Sequence, residues 1–264
     1  MSSVNPTPDG DAKEAELKDG EQSFMSHLIE LRQRLVRAAL ATLIVFVALS
    51  PFMKQIFDLL SRPLMVALPE GTKLLATGVI TPFMVPLKVT LFSAFLLALP
   101  YVLYQVWAFV APGLYKHEKR LALPIIASSL IMFALGMAYC YFIVFNLVFK
   151  FIAGFAPTSV AVAPDIEAYF NFVLGMFLAF GLTFEVPIVV VLLARFGIAS
   201  VDKLKQARPY VIVGAFIVAA IFTPPDVVSQ LLLAIPLCLL YELGIQLARM
   251  VGTRKPSEEP SAAS

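Results

Sequence analysis

The chain has 264 residues, 59% of them hydrophobic and 14% charged, with 20 Lys and Arg against 18 Asp and Glu for a net charge of +2. Soluble domains carry about 25% charged residues, and a globule of this length has too little interior for so much apolar surface. A soluble enzyme and a disordered chain are set aside on these grounds, and lipid is the expected solvent.

Residues 1–22 form a polar, acidic segment, and the first apolar run begins only near Val36. That is late for a signal peptide, and no small-residue cleavage site is present, so the run reads as a retained first span. Apolar runs then recur without alternation at 86–110, 121–145, 169–196, 210–222 and 227–248. A helical span needs about 20 residues, and unbroken runs exclude a barrel. The expected fold is all-α: a polytopic membrane protein of six transmembrane helices over residues 23–250, with the last two short. Pro86, Pro100, Pro124, Pro187 and Pro236 would bend the spans into a concave wall. The loops at about 53–85 and 146–168 are long enough to cap one face, and 251–264 reads as a disordered tail.

Charge gives the orientation. Fifteen of the twenty basic residues fall before span one, after spans two, four and six, or in the tail; Lys54, Arg62, Lys73, Lys88 and Lys150 fall on the other side. The positive-inside rule puts the larger set, and both termini, in the cytoplasm.

Three acids stand out. Phe24–Arg37 is an amphipathic helix carrying Glu30 at i,i+4 to Arg34. It is either an interfacial helix feeding span one or the holder of an anion for a cationic partner. Glu118 lies among Lys116, Lys119 and Arg120, as a local ion pair or as a second carboxylate for a guanidinium. Glu185 sits in the apolar stretch Phe180–Val189. It is either a neutral acid bonded to carbonyls freed by Pro187, or part of a polar concavity that receives a partner. Gln230 is the other polar candidate near that depth, and Lys88 reads as a snorkelling residue at the outer end of span two. No nucleotide-binding, hydrolase or metal-ligand motif occurs, so an enzyme is not expected. Two Cys in apolar runs and two distant His imply neither a disulfide framework nor a cofactor. On the residues alone, a polytopic receptor and an ion-coupled small-molecule secondary transporter both stand; the absence of an obvious repeat weighs against the second.

Several motifs coincide in order along the chain. His27-Leu28-Ile29-Glu30-Leu31-Arg32-Gln33-Arg34, Tyr104–Arg120, Phe184-Glu185-Val186-Pro187, Arg208-Pro209-Tyr210 and Thr223-Pro224-Pro225-Asp226 with Gln230 together resemble the TatC family, the multi-spanning subunit of the twin-arginine protein translocase, in its proteobacterial form. The resemblance covers about residues 22–250. It implies a receptor in the bacterial cytoplasmic (inner) membrane that binds signal peptides with consecutive arginines on folded cargo. It also implies assembly with TatA- and TatB-type single-span subunits in an oligomeric complex, transport driven by the proton-motive force, and no nucleic-acid partner. The family's signal-recognition carboxylates fall on Glu30 and Glu118. Arg32, Phe109, Lys116, Pro63 and Asp226 match positions affecting recognition or assembly. Glu185, Gln230 and Thr223 match the intramembrane polar positions of the partner site. Thr81-Pro82-Phe83 departs from the family, where many members place an acid before the aromatic.

Overall fold

A computed structural model of the chain describes residues 8–67, 74–110, 119–155, 164–223 and 226–251. All regular elements among them are helices. Helix α1 (Pro8–Leu49) passes through a single 3-10 turn, Ser50–Phe52, into α2 (Met53–Ala67). Helix α3 is Thr81–Val110; α4 (Lys119–Tyr139) continues through a π turn, Cys140–Val144, into α5 (Phe145–Phe155). Then follow α6 (Ile166–Arg195), the short α7 (Val201–Gln206), α8 (Arg208–Phe222) and α9 (Val227–Val251).

Among the described residues, five segments are long and apolar enough to cross a membrane: 25–62, 81–109, 123–151, 166–195 and 227–250. Arg208–Phe222 is the short sixth. Its 15 residues span about 22 Å, less than a hydrocarbon core of about 30 Å. The expectation of two short final spans is corrected at α9, which runs for 25 residues. Tyr241 and Glu242 do not interrupt it, because both side chains turn to neighbouring helices. The Tyr241 hydroxyl donates to the Leu204 carbonyl at 2.8 Å. Glu242 pairs with Arg208 through Nε–Oε1 at 2.6 Å and Nη2–Oε2 at 2.7 Å.

Other bounds move outward. The stretch read as a first outer loop holds α2, with Pro63 inside the helix, and the stretch read as a second holds all but the start of α5. Helix α1 also reaches back to Pro8, into the segment read only as polar. The tail 252–264 lies outside the described residues. All five span prolines sit within helices that continue past them.

The packing is that of a membrane bundle, with small residues where backbones approach. A Cβ on Gly136 would come within 2.5 Å of the Phe180 carbonyl oxygen, so α4 meets α6 backbone to backbone only because that position is glycine. Ala215 and Ala219 of α8 share a buried cluster with Leu233 and Ala234 of α9. The same cluster holds Val85 and Val89 of α3, Cys140 and Val144 of the π turn, and Phe170, Met176 and Phe180 of α6. On α1, by contrast, the apolar side chains Leu35, Ile44 and Val47 are more than 60% exposed. This is what a helix bordering lipid requires.

The expected outer ends are tied by backbone and carboxylates together. Leu75 N–H donates to the Pro164 carbonyl (3.0 Å) and Ile166 N–H to the Leu75 carbonyl (2.9 Å). Asp165 caps α6 through Oδ1, which accepts from the N–H groups of Glu167 and Ala168, both at 2.9 Å. Its Oδ2 accepts from the Thr77 hydroxyl at 2.6 Å and the Thr77 N–H at 3.3 Å. These bonds, the Thr77 hydroxyl foremost, hold the Asp165 carboxyl below its ordinary value.

Candidate functional site

The expected site residues that the structure describes fall mainly at three levels. At the predicted cytoplasmic end, α1 lies against α3. Arg34 donates to Glu30 Oε1 from Nε (2.9 Å) and Nη2 (2.6 Å), as the i,i+4 spacing predicts. The third guanidinium nitrogen, Nη1, reaches Gln105 Oε1 on α3 at 3.3 Å. One turn toward the N-terminus, the His27 ring stacks on Phe109 with centroids 4.3 Å apart and planes 19° apart. The structure therefore brings Glu30 and Phe109, two of the expected site residues, to the junction where the middle of α1 meets the C-terminal end of α3. Arg32 is exposed on another face of α1. Glu118 and Lys116 lie outside the described residues, as does the side chain of Pro63. Gln105, 4% exposed, was missed from the sequence. Its one signal was a polar amide inside an otherwise apolar run.

Deeper in the bundle, Glu185 is 8% exposed. Neither carboxylate oxygen has a well-directed hydrogen bond among the described residues. The group that acts on it is the Ser129 hydroxyl of α4, which is itself engaged by Trp107 of α3 (Nε1 to Oγ, 2.8 Å). Among the described residues no hydrogen bond joins Glu185 to a carbonyl freed by Pro187.

The third level is the turn between α8 and α9. The Thr223 hydroxyl donates to the Ala219 carbonyl (2.8 Å) and closes α8. Asp226 Oδ1 accepts from Ser229 N–H (2.7 Å) and opens α9. Gln230 Nε2 donates to the Phe216 carbonyl (3.3 Å), joining the two helices. Gln230 and Glu185 are not at one depth. Gln230 is in the first turn of α9, whereas Glu185 is about 28 Å along α6 from that helix's outer end. The two were placed together because both interrupt apolar runs, and run position alone does not fix depth in helices of unequal length.

Between these levels an apolar groove of about 350 Å³ runs under α2, lined by Leu59, Phe92, Leu96, Met137, Tyr141 and Phe177.

The fold and these sites define a multi-pass helical membrane protein with, among the described residues, one buried acid, Glu185. The comparisons give the family. The model of TatC, the Sec-independent protein translocase protein, matches residues 26–236. The translocase protein TatC of Azotobacter chroococcum mcd 1 is 49% identical over 93% of this chain and 95% of its own length. That of Escherichia coli strain K12 is 48% identical over 90% and 93%. A solved structure, the crystal structure of twin arginine translocase receptor TatC, superposes with a TM-score of 0.76 at 39% identity, covering 85% of this chain and 98% of that one. The chain belongs to the TatC family of Sec-independent protein translocases.

Proposed function

We propose that the chain is the signal-peptide receptor and core subunit of a twin-arginine translocase in a bacterial inner membrane, with both termini cytoplasmic. The observation that carries this reading is the Glu30 carboxylate. It is held at the junction of α1 and α3, 40% exposed, and already in contact with two nitrogens of a guanidinium. A carboxylate so placed is suited to a ligand's arginine, because a planar fork matches two lone pairs where an ammonium matches one. Two arginines call for two acids, and Glu118 is the second, eight residues beyond the end of α3 in the sequence. Lys116 and Arg32 are basic residues two positions from Glu118 and Glu30 in the sequence, and Phe109 gives the apolar floor beside Glu30. The apolar part of a signal peptide then has the groove under α2 to follow.

Glu185 is the candidate contact for a TatA- or TatB-type single-span subunit. An acid buried without a directed bond gains most from a donor that arrives on another helix. Gln230, Thr223 and Asp226 form a second polar patch for such a helix at the α8–α9 turn, with Pro63 shaping the outer cap. The complex is oligomeric, uses the proton-motive force, and works without a cofactor or catalytic residue in this subunit.

The test is photo-cross-linking of a synthetic twin-arginine signal peptide to the full chain in membranes. Glu30→Ala or Glu118→Ala is expected to abolish the cross-link while the protein inserts as before. Wild-type cross-linking in both variants would sink the assignment.

A further inference from the structure

Glu30 already holds a guanidinium, and it is the chain's own. Arg34 places Nε and Nη2 on a single oxygen, Oε1, at 2.9 and 2.6 Å. Among the described residues, the other oxygen, Oε2, carries no hydrogen bond. Two properties make this pair exchangeable. It is an i,i+4 contact on one helix with 22% and 40% of the side chains exposed, a weak class of ion pair. The same guanidinium also has a second acceptor, Gln105 Oε1, 3.3 Å from Nη1 on the adjacent helix. Arg34 can therefore leave Glu30 and remain hydrogen-bonded.

We propose that Arg34 is an internal competitor for the signal peptide's arginine: it occupies Glu30 in the empty receptor, is displaced onto Gln105 when the peptide binds, and so holds peptide affinity down. The inference rests on Glu30 being a signal-peptide carboxylate. Displacement exchanges one guanidinium–carboxylate pair for another of the same kind. The intrinsic attraction of Glu30 for the ligand is largely cancelled, while its geometric preference for a guanidinium is untouched. Arginine and lysine peptides are weakened by the same factor, because both displace the same occupant. A receptor that must release its cargo is served by such cancellation, since affinity differences appear mostly in the dissociation rate.

Gln105 has a defined part. Its amide oxygen receives the displaced Arg34, so its loss should matter only while Arg34 is present. This coupling separates the competitor from a merely structural contact between α1 and α3.

The experiment measures dissociation constants of a synthetic signal peptide carrying Arg-Arg, and of its Lys-Lys counterpart, for the purified full chain in nanodiscs. Arg34→Gln is expected to tighten both peptides by about threefold to tenfold, with their ratio unchanged and a slower dissociation rate. Its affinity should also fall more steeply with salt than that of the wild type, because a new ion pair is then formed rather than exchanged. Gln105→Leu is expected to weaken binding about twofold to fivefold in the wild-type background and to change nothing beside Arg34→Gln. Arg34→Lys keeps the charge but cannot place two N–H groups on one oxygen, and should tighten binding by about twofold. It serves where Arg34→Gln fails to insert. Weaker or equal binding in the inserted Arg34 variant overturns the competitor role, as does an equal effect of Gln105→Leu in both backgrounds. Glu30→Gln separates the two failures. If it binds peptide like the wild type, the reading of Glu30 itself is wrong; if it loses binding while the Arg34 variants do not gain it, only the competitor is wrong.

Discussion

Asp165 and Glu167 at the expected outer end of the bundle and Glu30 at the expected cytoplasmic end use their carboxylates in opposite ways. At the outer end, Asp165 accepts four hydrogen bonds, from Glu167, Ala168 and Thr77, and Glu167 accepts from the Thr81 hydroxyl (3.2 Å) and from Lys88 (3.3 Å). All four oxygens of these two carboxylates are engaged, three of them across elements distant in sequence, and the result is a clasp. At the cytoplasmic end, Glu30 has one oxygen held by a neighbour on its own helix. Glu185, between the ends, has neither oxygen in a directed bond among the described residues. A saturated carboxylate holds a fold together, and an unsaturated one is available to something else. On this contrast, substitution should cost stability at Asp165 and Glu167 and binding at Glu30 and Glu185.

The largest effect is expected at Glu185, and its sign on stability is opposite to the usual one. A buried polar group without its bonds costs about 1–3 kcal/mol, and replacing it with an apolar group of similar size recovers part of that. Glu185→Leu should therefore raise the thermal stability of the isolated subunit in detergent. The same variant should lose co-purification with a single-span partner and lose export of a folded reporter, the usual trade between stability and function. A melting temperature that falls would show that Ser129 or an ordered water satisfies the acid, and would move Glu185 to the same side of the comparison as Asp165.

At the outer clasp, Asp165→Ala removes the cap of α6 together with the Thr77 bonds. The expected outcome is a melting temperature lower by a few degrees with unchanged peptide binding, read by differential scanning in detergent and by the peptide titration. Loss of binding with unchanged melting would invert the assignment of the two ends. The same residue gives a pH signature. The folded carboxyl sits below its ordinary value of 3.8, foremost because of the Thr77 hydroxyl. Its stabilisation is thus fully present above 3.8 and is lost as the pH falls through the lowered folded value. Melting curves between pH 5 and pH 2 should fall in the wild type and flatten in Asp165→Asn.

How much of this was readable beforehand follows from the range of each interaction. The spans were legible because run length and charge asymmetry are sums along the chain. The Glu30–Arg34 pair was legible because an i,i+4 contact needs only a helix. Helix α2 was not, since its Pro63 and mixed composition read as loop, and the π turn at Cys140–Val144 leaves no compositional mark. Gln105, Ser129 and Trp107 escaped because their meaning depends on how α3 is rotated against α1 and α4. The clasp escaped for the same reason: Lys88 was read as snorkelling, and only the packing of α3 on α6 shows it beside Glu167 and Asn171, at 3.3 and 3.4 Å.

Lys88 is also where the smallest effect is expected. Its pair with Glu167 leaves both side chains 44% exposed. Exposed pairs contribute about 0.2–1 kcal/mol, and salt screens them. Lys88→Met keeps the aliphatic stem that packs at the outer end of α3 and removes only the charge. Glu167 then keeps its Thr81 bond, so the clasp should hold through Asp165 and the Leu75 backbone bonds. Melting should drop by no more than about 1 kcal/mol at low salt and not measurably in 0.5 M salt. A larger loss that persists in salt would mean that Lys88, Glu167 and Asn171 act as one network whose members depend on each other. The outer end would then be held by charge as much as by the capping carboxylate, and the contrast with the open carboxylate at the cytoplasmic end would narrow to a difference in how many partners each acid has.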